Sequence, residues 1–190
     1  MKAGRVSRTA EAAAALRANH HLNAYDPVFS DEYAYAMTNA RWRLLLNNSL
    51  FRKTMNSSFM NKNLGKLTGQ VVGRSRYSED LLQQTIENNH LQQYVIVGAG
   101  LDSFVLRLAE HYPQLKIFEV DHPDTQKTKI EKLKQISKSK QLPANVEFVS
   151  IDFEKEKLSD ALLRSTYDTK IPAFFSWLGT THYLHPETTL

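Results

Sequence analysis

The sequence predicts an α/β fold: a doubly wound parallel sheet with helices on both faces, preceded by a helical N-terminal segment. Three features carry this. From Tyr94 onward, short apolar runs alternate with segments of helical character, the pattern of βαβ units. The first run, Tyr94–Val97, ends in Gly98-Ala99-Gly100 and leads into Phe104–Ala109 with no breaker before Pro113, which reads as strand, tight glycine turn and helix. Successive runs end in Gly98/Gly100, Asp121, Asp152 and Gly179. In a parallel sheet all those ends lie at one carboxyl edge, where open α/β sheets bind ligands.

Taken in order, Ala10–Leu22 reads as a helix, with Thr9 as N-cap, Glu11 in the first turn and Ala13, Ala14 and Leu16 toward the buried side. Arg17, near its end, is either a solvated arginine or a contact for a carboxylate or phosphate. Tyr25–Phe29 turns into a second helix, with Ser30 as cap ahead of Asp31–Met37, and Arg41–Leu46 continues the helical pattern. Trp42, alone between Arg41 and Arg43, reads as amphipathic packing rather than a nucleic-acid contact. Asn47–Asn63 is rich in Asn and Ser yet carries Leu50, Phe51, Met55, Phe59 and Met60; irregular structure or short helices forming a mobile cover are expected. Gly69–Asp80 is expected as a loop leading into a helix over Leu81–Asn89. Arg74 and Arg76, on either side of Ser75, are surface arginines or, with the loop folded back, a clamp for a carboxylate or phosphate.

At the glycine turn, a missing Cβ lets the backbone turn sharply and lets a ligand approach closely. The following helix would present free N–H groups and a partial positive charge. A dinucleotide fingerprint wants a third glycine, and Ser103 stands in its place. Gln114–Asp121 is the second strand. Asp121 lies about twenty residues beyond the glycines, where an acid at a strand end accepts hydrogen bonds from ribose hydroxyls; Glu119 competes but sits inside the run. Asp124–Gln141 reads as a helix with Ile130, Leu133 and Ile136 as its buried stripe and Lys127, Lys129, Lys132, Lys134, Lys138 and Lys140 as a solvated face. Asn145–Phe153 is a third strand, Leu158–Leu163 a helix, and Ile171–Gly179 a fourth strand. Acids at the second and third strand ends favour a cofactor offering ribose hydroxyls and an adenine amine, since a phosphate there would be repelled.

Composition narrows the classes further. The absence of cysteine excludes a disulfide framework, a thiolate nucleophile and a Cys-based zinc site. No run of about eighteen apolar residues is present, so no transmembrane helix is expected. The first residues lack an apolar signal core, and a cytoplasmic location with no membrane partner is the simplest expectation. A net charge of +4 does not by itself argue for nucleic acid. His20-His21 and His182-x-x-His185 lack carboxylate or cysteine partners at metal spacing, so no metal site is expected. Ser176 is outside Gly-x-Ser-x-Gly, and no Gly-x-x-x-x-Gly-Lys phosphate loop occurs.

Several blocks together are more specific: Thr9-Ala10 with Arg17-Ala18, Tyr25-Asp26-Pro27-Val28-Phe29-Ser30-Asp31, Arg74-Ser75-Arg76-Tyr77, Val97-Gly98-Ala99-Gly100-Leu101-Asp102-Ser103 with Arg107-Leu108, Glu119-Val120-Asp121-His122-Pro123, Asp152-Phe153, and Phe174-Phe175-Ser176-Trp177-Leu178-Gly179 through Tyr183-Leu184. In their order and spacing the chain resembles the leucine carboxyl methyltransferase family in the broad sense, with its bacterial S-adenosylmethionine-dependent members. The resemblance implies a class I methyltransferase (Rossmann-like) fold, with a helical cover and substrate region over 1–92 and a cofactor-binding part over 93–190. It implies S-adenosyl-L-methionine at the carboxyl edge. Arg76 would hold the methionine carboxylate, with Arg17 as an upstream basic contact. Gly98 and Gly100 would pass under the methionine end, Asp121 would take the ribose hydroxyls, and Asp152 and Phe153 would flank the adenine. The implied activity is O-methylation of a carboxylate or hydroxyl on a small molecule or peptide.

The resemblance names no catalytic residue, and methyl transfer to a carboxylate needs mainly positioning. Leu178 stands where many relatives carry glutamate, which bears on the acceptor. Family members continue past the fourth strand, so the resemblance also implies a C-terminally truncated chain. Two other classes share some of these features. An NAD-dependent oxidoreductase uses the same glycine turn and acid, and a non-catalytic remnant of a methyltransferase would keep the fold alone.

Overall fold

The computed structural model describes residues 8–89, 91–137 and 141–179. The anticipated His182-x-x-His185 pair, Tyr183-Leu184, Lys138 and Lys140 lie outside the described residues.

The N-terminal half is helical: α1 (Arg8–Asn23), α2 (Ala34–Met37), α3 (Ala40–Asn47), α4 (Ser49–Met55) and α5 (Ser58–Asn89). Thr9 lies inside α1 and does not cap it. The buried face of α1 is Glu11, Ala14, Ala15, Arg17, Ala18 and Asn19, shifted from the expected Ala13 and Leu16. Glu11 is buried because its carboxylate accepts the Asn39 amide at 2.9 Å, which ties α1 to the start of α3. Ser30 does not cap the second helix, which begins only at Ala34; its hydroxyl sits 2.9 Å from His21 Nδ1. Trp42 packs against the small cluster of Ala15, Ala18, Ala34 and Leu46.

The largest departure from expectation is α5. The predicted loop over 69–80 is part of one helix of 32 residues. Gly69 and Gly73 meet nothing within 4 Å of where a Cβ would stand, so they neither break the helix nor admit a close neighbour. A helical glycine costs about 1 kcal/mol relative to alanine. Val72, Ser75, Ser78 and Leu82 form a buried stripe at helical spacing, and that tertiary contact outweighs the local cost.

The sheet follows: β1 (Gln93–Val97), β2 (Lys116–Asp121), β3 (Val146–Ser150) and β4 (Ala173–Trp177), with α6 (Phe104–Arg107), α7 (Pro123–Ile136) and α8 (Leu158–Leu163) between them. The order is β3-β2-β1-β4, and all three pairings are parallel. The helix expected to reach Gln141 ends at Ile136, and the third strand ends at Ser150, so Asp152 lies in the loop beyond it. Every residue of β1 is buried, as befits a central parallel strand covered on both faces.

Alternate residues divide between two cores. Tyr94, Ile96 and Ile117 face Leu82 of α5 and Phe104 of α6. Val95, Val97, Phe118, Val120 and Val149 face Ala161 and Leu162 of α8. A third cluster brings Ala14 of α1 and Leu133 of α7 onto Leu101 and Val105, so the N-terminal helix packs directly on the segment after the glycines. The α7 stripe differs from expectation. Thr125, Gln126, Lys129 and Leu133 are buried while Ile130 is half-buried. Lys129 is not on the solvated face. Its ammonium lies 2.7 Å from the Glu119 carboxylate, each side chain 1% exposed.

Candidate functional site

The chain runs from β1 outward through β2 to β3, then crosses back to place β4 on the other side of β1. The strand order therefore reverses between β1 and β4, and such a switch point opens a crevice at the carboxyl edge. Register levels the strand ends there, since Val97 pairs with both Val120 and Trp177.

The turn after β1 has the backbone the sequence demands. Gly98 and Gly100 have φ of 66° and 52°, the left-handed region that side chains disfavour. The amides of Gly98 and Ala99 both donate to Val120 O, at 2.8 and 3.1 Å, which folds the turn over the end of β2. Asp121 lies beside it: one carboxylate oxygen accepts the Gly100 amide and the other the His122 amide at 2.6 Å. Burial pushes the Asp121 carboxyl up, and these two amides oppose that. Each oxygen keeps a lone pair free for a further donor. Glu119 is not available in the same way, since Lys129 takes it.

Asp152 is more open, and a hydrogen bond from Lys155 holds its carboxyl below the usual range. The ring of Phe153 lies nearly parallel to that of Trp177, centroids 6.4 Å apart and 20° between planes. Phe153 follows β3 and Trp177 ends β4, so the pair reaches across the ends of the two inner strands. The Trp177 indole Nε1 is buried without a hydrogen-bond partner among the described residues, a costly state that a ligand acceptor would relieve.

Gly179, with φ of 86°, carries the Arg74 guanidinium against it. A Cβ built there would stand 2.7 Å from Arg74 Nη1. Arg74 thus reaches the carboxyl edge. Arg76 does not share its direction, because residues two apart on a helix point about 200° apart. Arg76 is exposed, its Nε 2.8 Å from both Asp80 oxygens and its Nη1 3.4 Å from Val28 O. The paired clamp that a folded-back loop would have made is therefore absent, and the cause is the continuity of α5. Arg17 is not solvated either. It is 5% exposed, with Nε donating to Asp31 at 2.8 Å and Nη2 to Leu101 O at 2.7 Å.

Beneath the turn lies a polar cluster that local pattern did not reveal. Ser103, fully buried, donates to Asp31 at 2.6 Å and accepts from Arg107 Nε at 2.8 Å. Arg107 grips Glu79 of α5 with both terminal nitrogens, at 2.9 and 2.5 Å, and lies 4.7 Å over the Phe29 ring. Burial pushes Glu79 up against the pull of Arg107. Burial works against Asp102 as well, but Arg17, Arg107 and Lys129 hold its carboxyl below the usual range. Asp102 accepts the Phe104 amide at 2.7 Å at the head of α6. That helix has only four residues, too short for the helix dipole first expected to help hold a ligand. The signal for the cluster was Arg107 itself, a lone charge in the apolar run Phe104–Ala109.

A family model described as leucine carboxyl methyltransferase matches residues 10–190. The chain belongs to this family. All the residues placed above at the carboxyl edge fall within the matched stretch. Among curated relatives, the chain is 39% identical over 123 residues to the "Putative S-adenosyl-L-methionine-dependent methyltransferase YktD" of Bacillus subtilis (strain 168), covering 64% of this chain and 39% of the relative. It is 30% identical over 111 residues to the "Putative S-adenosyl-L-methionine-dependent methyltransferase SCO7813" of Streptomyces coelicolor (strain ATCC BAA-471 / A3(2) / M145), covering 57% of this chain and 36% of that protein. The matched stretch of the chain thus spans less than two fifths of the first of these relatives and a little over a third of the second. The parallel α/β sheet is the class I methyltransferase arrangement that the resemblance implied. No helix among the described residues is long and apolar enough to cross a membrane.

Proposed function

We propose that this chain forms the cofactor-binding part of an S-adenosyl-L-methionine-dependent O-methyltransferase acting on a carboxylate or hydroxyl of a small molecule or peptide. The observation that carries it is the meeting of the Gly98/Gly100 turn, the Asp121 carboxylate and the Phe153–Trp177 pair at one switch point. The residues fit the cofactor's chemistry. Asp121 has lone pairs for ribose hydroxyls, Asp152 is an open acceptor for the adenine amine, and Phe153 offers a flat apolar face. The turn at Gly98 and Gly100 allows close approach of the methionine end. Arg74, whose guanidinium lies against Gly179 at the carboxyl edge, is assigned the methionine carboxylate in preference to Arg76, which points in another direction from α5. Arg17 acts through the Leu101 carbonyl rather than by direct contact. When bound, the cofactor supplies an electrophilic sulfonium methyl group. A carboxylate acceptor needs no general base, so the protein's part is alignment. The helical segment 1–92 shapes the acceptor side, and 93–190 holds the cofactor.

Calorimetric titration with S-adenosylhomocysteine tests this, with NAD as control. Saturable binding of S-adenosylhomocysteine alone, lost in Asp121→Ala, is the expected result. Binding of NAD alone would replace the proposal with an oxidoreductase. Binding of neither ligand to the folded chain would favour a non-catalytic remnant.

A further inference from the structure

We infer that Asp31 is a positioning residue for the cofactor turn, and that through it the N-terminal helices are a working part of the cofactor site. This rests on the methyltransferase reading above.

In the dinucleotide fingerprint the third glycine allows the following helix to pack closely on the strand. Here Ser103 stands in its place, and its hydroxyl is committed. It donates at 2.6 Å to an aspartate 72 residues earlier in the chain. The other oxygen of that aspartate accepts Arg17 Nε at 2.8 Å. Arg17 in turn donates to the carbonyl of Leu101 at 2.7 Å. These contacts close a ring: Asp31, Ser103, the backbone back to Leu101, Arg17, and Asp31 again. The segment Leu101-Asp102-Ser103 is held at Ser103 by the Asp31 carboxylate directly and at Leu101 by the Arg17 that this carboxylate orients. Gly100, immediately before it, has its amide on Asp121. The direction of the Gly100 amide and the lone pairs left on Asp121 are therefore set by how firmly this ring holds.

The charge on Asp31 matters as well as its shape. Its side chain is fully buried between two guanidinium groups, Arg17 at 2.8 Å and Arg107 at 3.8 Å. A neutral amide there would place two buried cations side by side with less to offset them. Ser103 is also the acceptor for Arg107 Nε, and Arg107 is anchored on Glu79 of α5. Thus α1, the connection carrying Asp31 and α5 all converge on three residues of the turn. None of these groups is assigned a direct cofactor contact under the proposed function, so the effect would pass through the turn.

The test uses the full chain and three variants. Ser103→Ala removes the hydroxyl and leaves the Asp31–Arg17 pair intact. Asp31→Asn keeps size and removes charge. Leu115→Ala, in the core just before β2 at the amino edge of the sheet, lowers stability away from the turn. Affinity for S-adenosylhomocysteine is measured by calorimetry, stability by thermal unfolding, and the turn by hydrogen exchange at the Gly100 amide. Ser103→Ala is expected to weaken binding about tenfold, the scale of one lost buried hydrogen bond, and to speed Gly100 exchange. Asp31→Asn is expected to do the same or more. Leu115→Ala is expected to lower the unfolding midpoint with affinity unchanged. Parent-like Gly100 exchange in Ser103→Ala and Asp31→Asn would overturn the inference, as would an affinity loss in Leu115→Ala that matches theirs at equal loss of midpoint. A parent chain that binds no S-adenosylhomocysteine would count against the methyltransferase reading, and the exchange comparison would still decide the pinning.

Discussion

Replacing Lys129 by methionine should separate breaking a buried ion pair from replacing one. The ammonium of Lys129 sits 2.7 Å from Glu119, and both side chains are 1% exposed. Burial pushes the Glu119 carboxyl up to about 7, even though Lys129 pulls the other way. Methionine fills similar volume but leaves Glu119 without its counter-charge. Removing one partner of a buried pair costs about 3–5 kcal/mol. For a chain of this size each kcal/mol moves the midpoint by about 2–4 °C, so Lys129→Met should melt roughly 6–20 °C lower at pH 8. The sign with pH follows from the raised Glu119 value. The folded chain holds that proton more tightly than the unfolded chain. Its contribution to stability is complete below about 4.5 and is lost as pH rises through about 7. At pH 5.5 Glu119 is largely protonated in both proteins. Between there and pH 8 the parent's Glu119 ionises above about 7, while the variant's, without the pull of Lys129, stays protonated longer. The penalty of Lys129→Met should therefore be smaller at pH 5.5 by about 1.4 kcal/mol. The double variant Glu119→Leu/Lys129→Met removes both charges and should be close to the parent at pH 8. Thermal unfolding of the three proteins at both pH values is the assay. An equal penalty at pH 5.5 and pH 8, or a double variant as unstable as the single one, would refute the reasoning.

Other expectations concern the turn and the aromatic pair. In Gly100→Ala the new Cβ would stand 3.2 Å from the Ala10 Cβ at a φ of 52°; a left-handed non-glycine residue costs about 1–2 kcal/mol, so both the melting midpoint and affinity for S-adenosylhomocysteine should fall, and a parent-like variant would show that the turn tolerates side chains. In a Trp42→Phe background Trp177 becomes the sole indole in the chain, and its emission should change when S-adenosylhomocysteine binds. Unchanged emission alongside calorimetric binding would place the ligand away from the Phe153–Trp177 pair.

The α/β architecture was legible because the four strands are short runs rich in apolar residues that alternate with helical segments. The order of glycines and acids fixed which strand ends would meet, and Gly98, Gly100 and Asp121 do lie together. The course of α5 was not legible. Gly69 and Gly73 read locally as breakers, whereas the buried stripe from Val72 to Leu82 carries the helix through them. That error also misdirected the arginines, since whether Arg74 and Arg76 point together depends on the backbone between them. Lys129 read as one more solvated lysine because its partner lies on another element. The same holds for Asp31 and Ser103. Periodicity reports which face of an element is buried, but it carries no record of which distant polar group will meet it there.

Helix α5 has 32 residues, and at about 1.5 Å per residue it is a beam some 48 Å long. Leu82 fixes it in the sheet core, and Arg74 rests on Gly179 part-way along. The lever arm from Leu82 to Phe59 is about 35 Å. A tilt of about 5° around Leu82 would carry the Phe59 end through about 3 Å, while shifting Arg74 by only about 1 Å. The beam therefore gears the carboxyl edge to the far helices. Tilting as one body about Leu82, α5 would magnify a small displacement at the crevice roughly threefold where α4 and α5 meet.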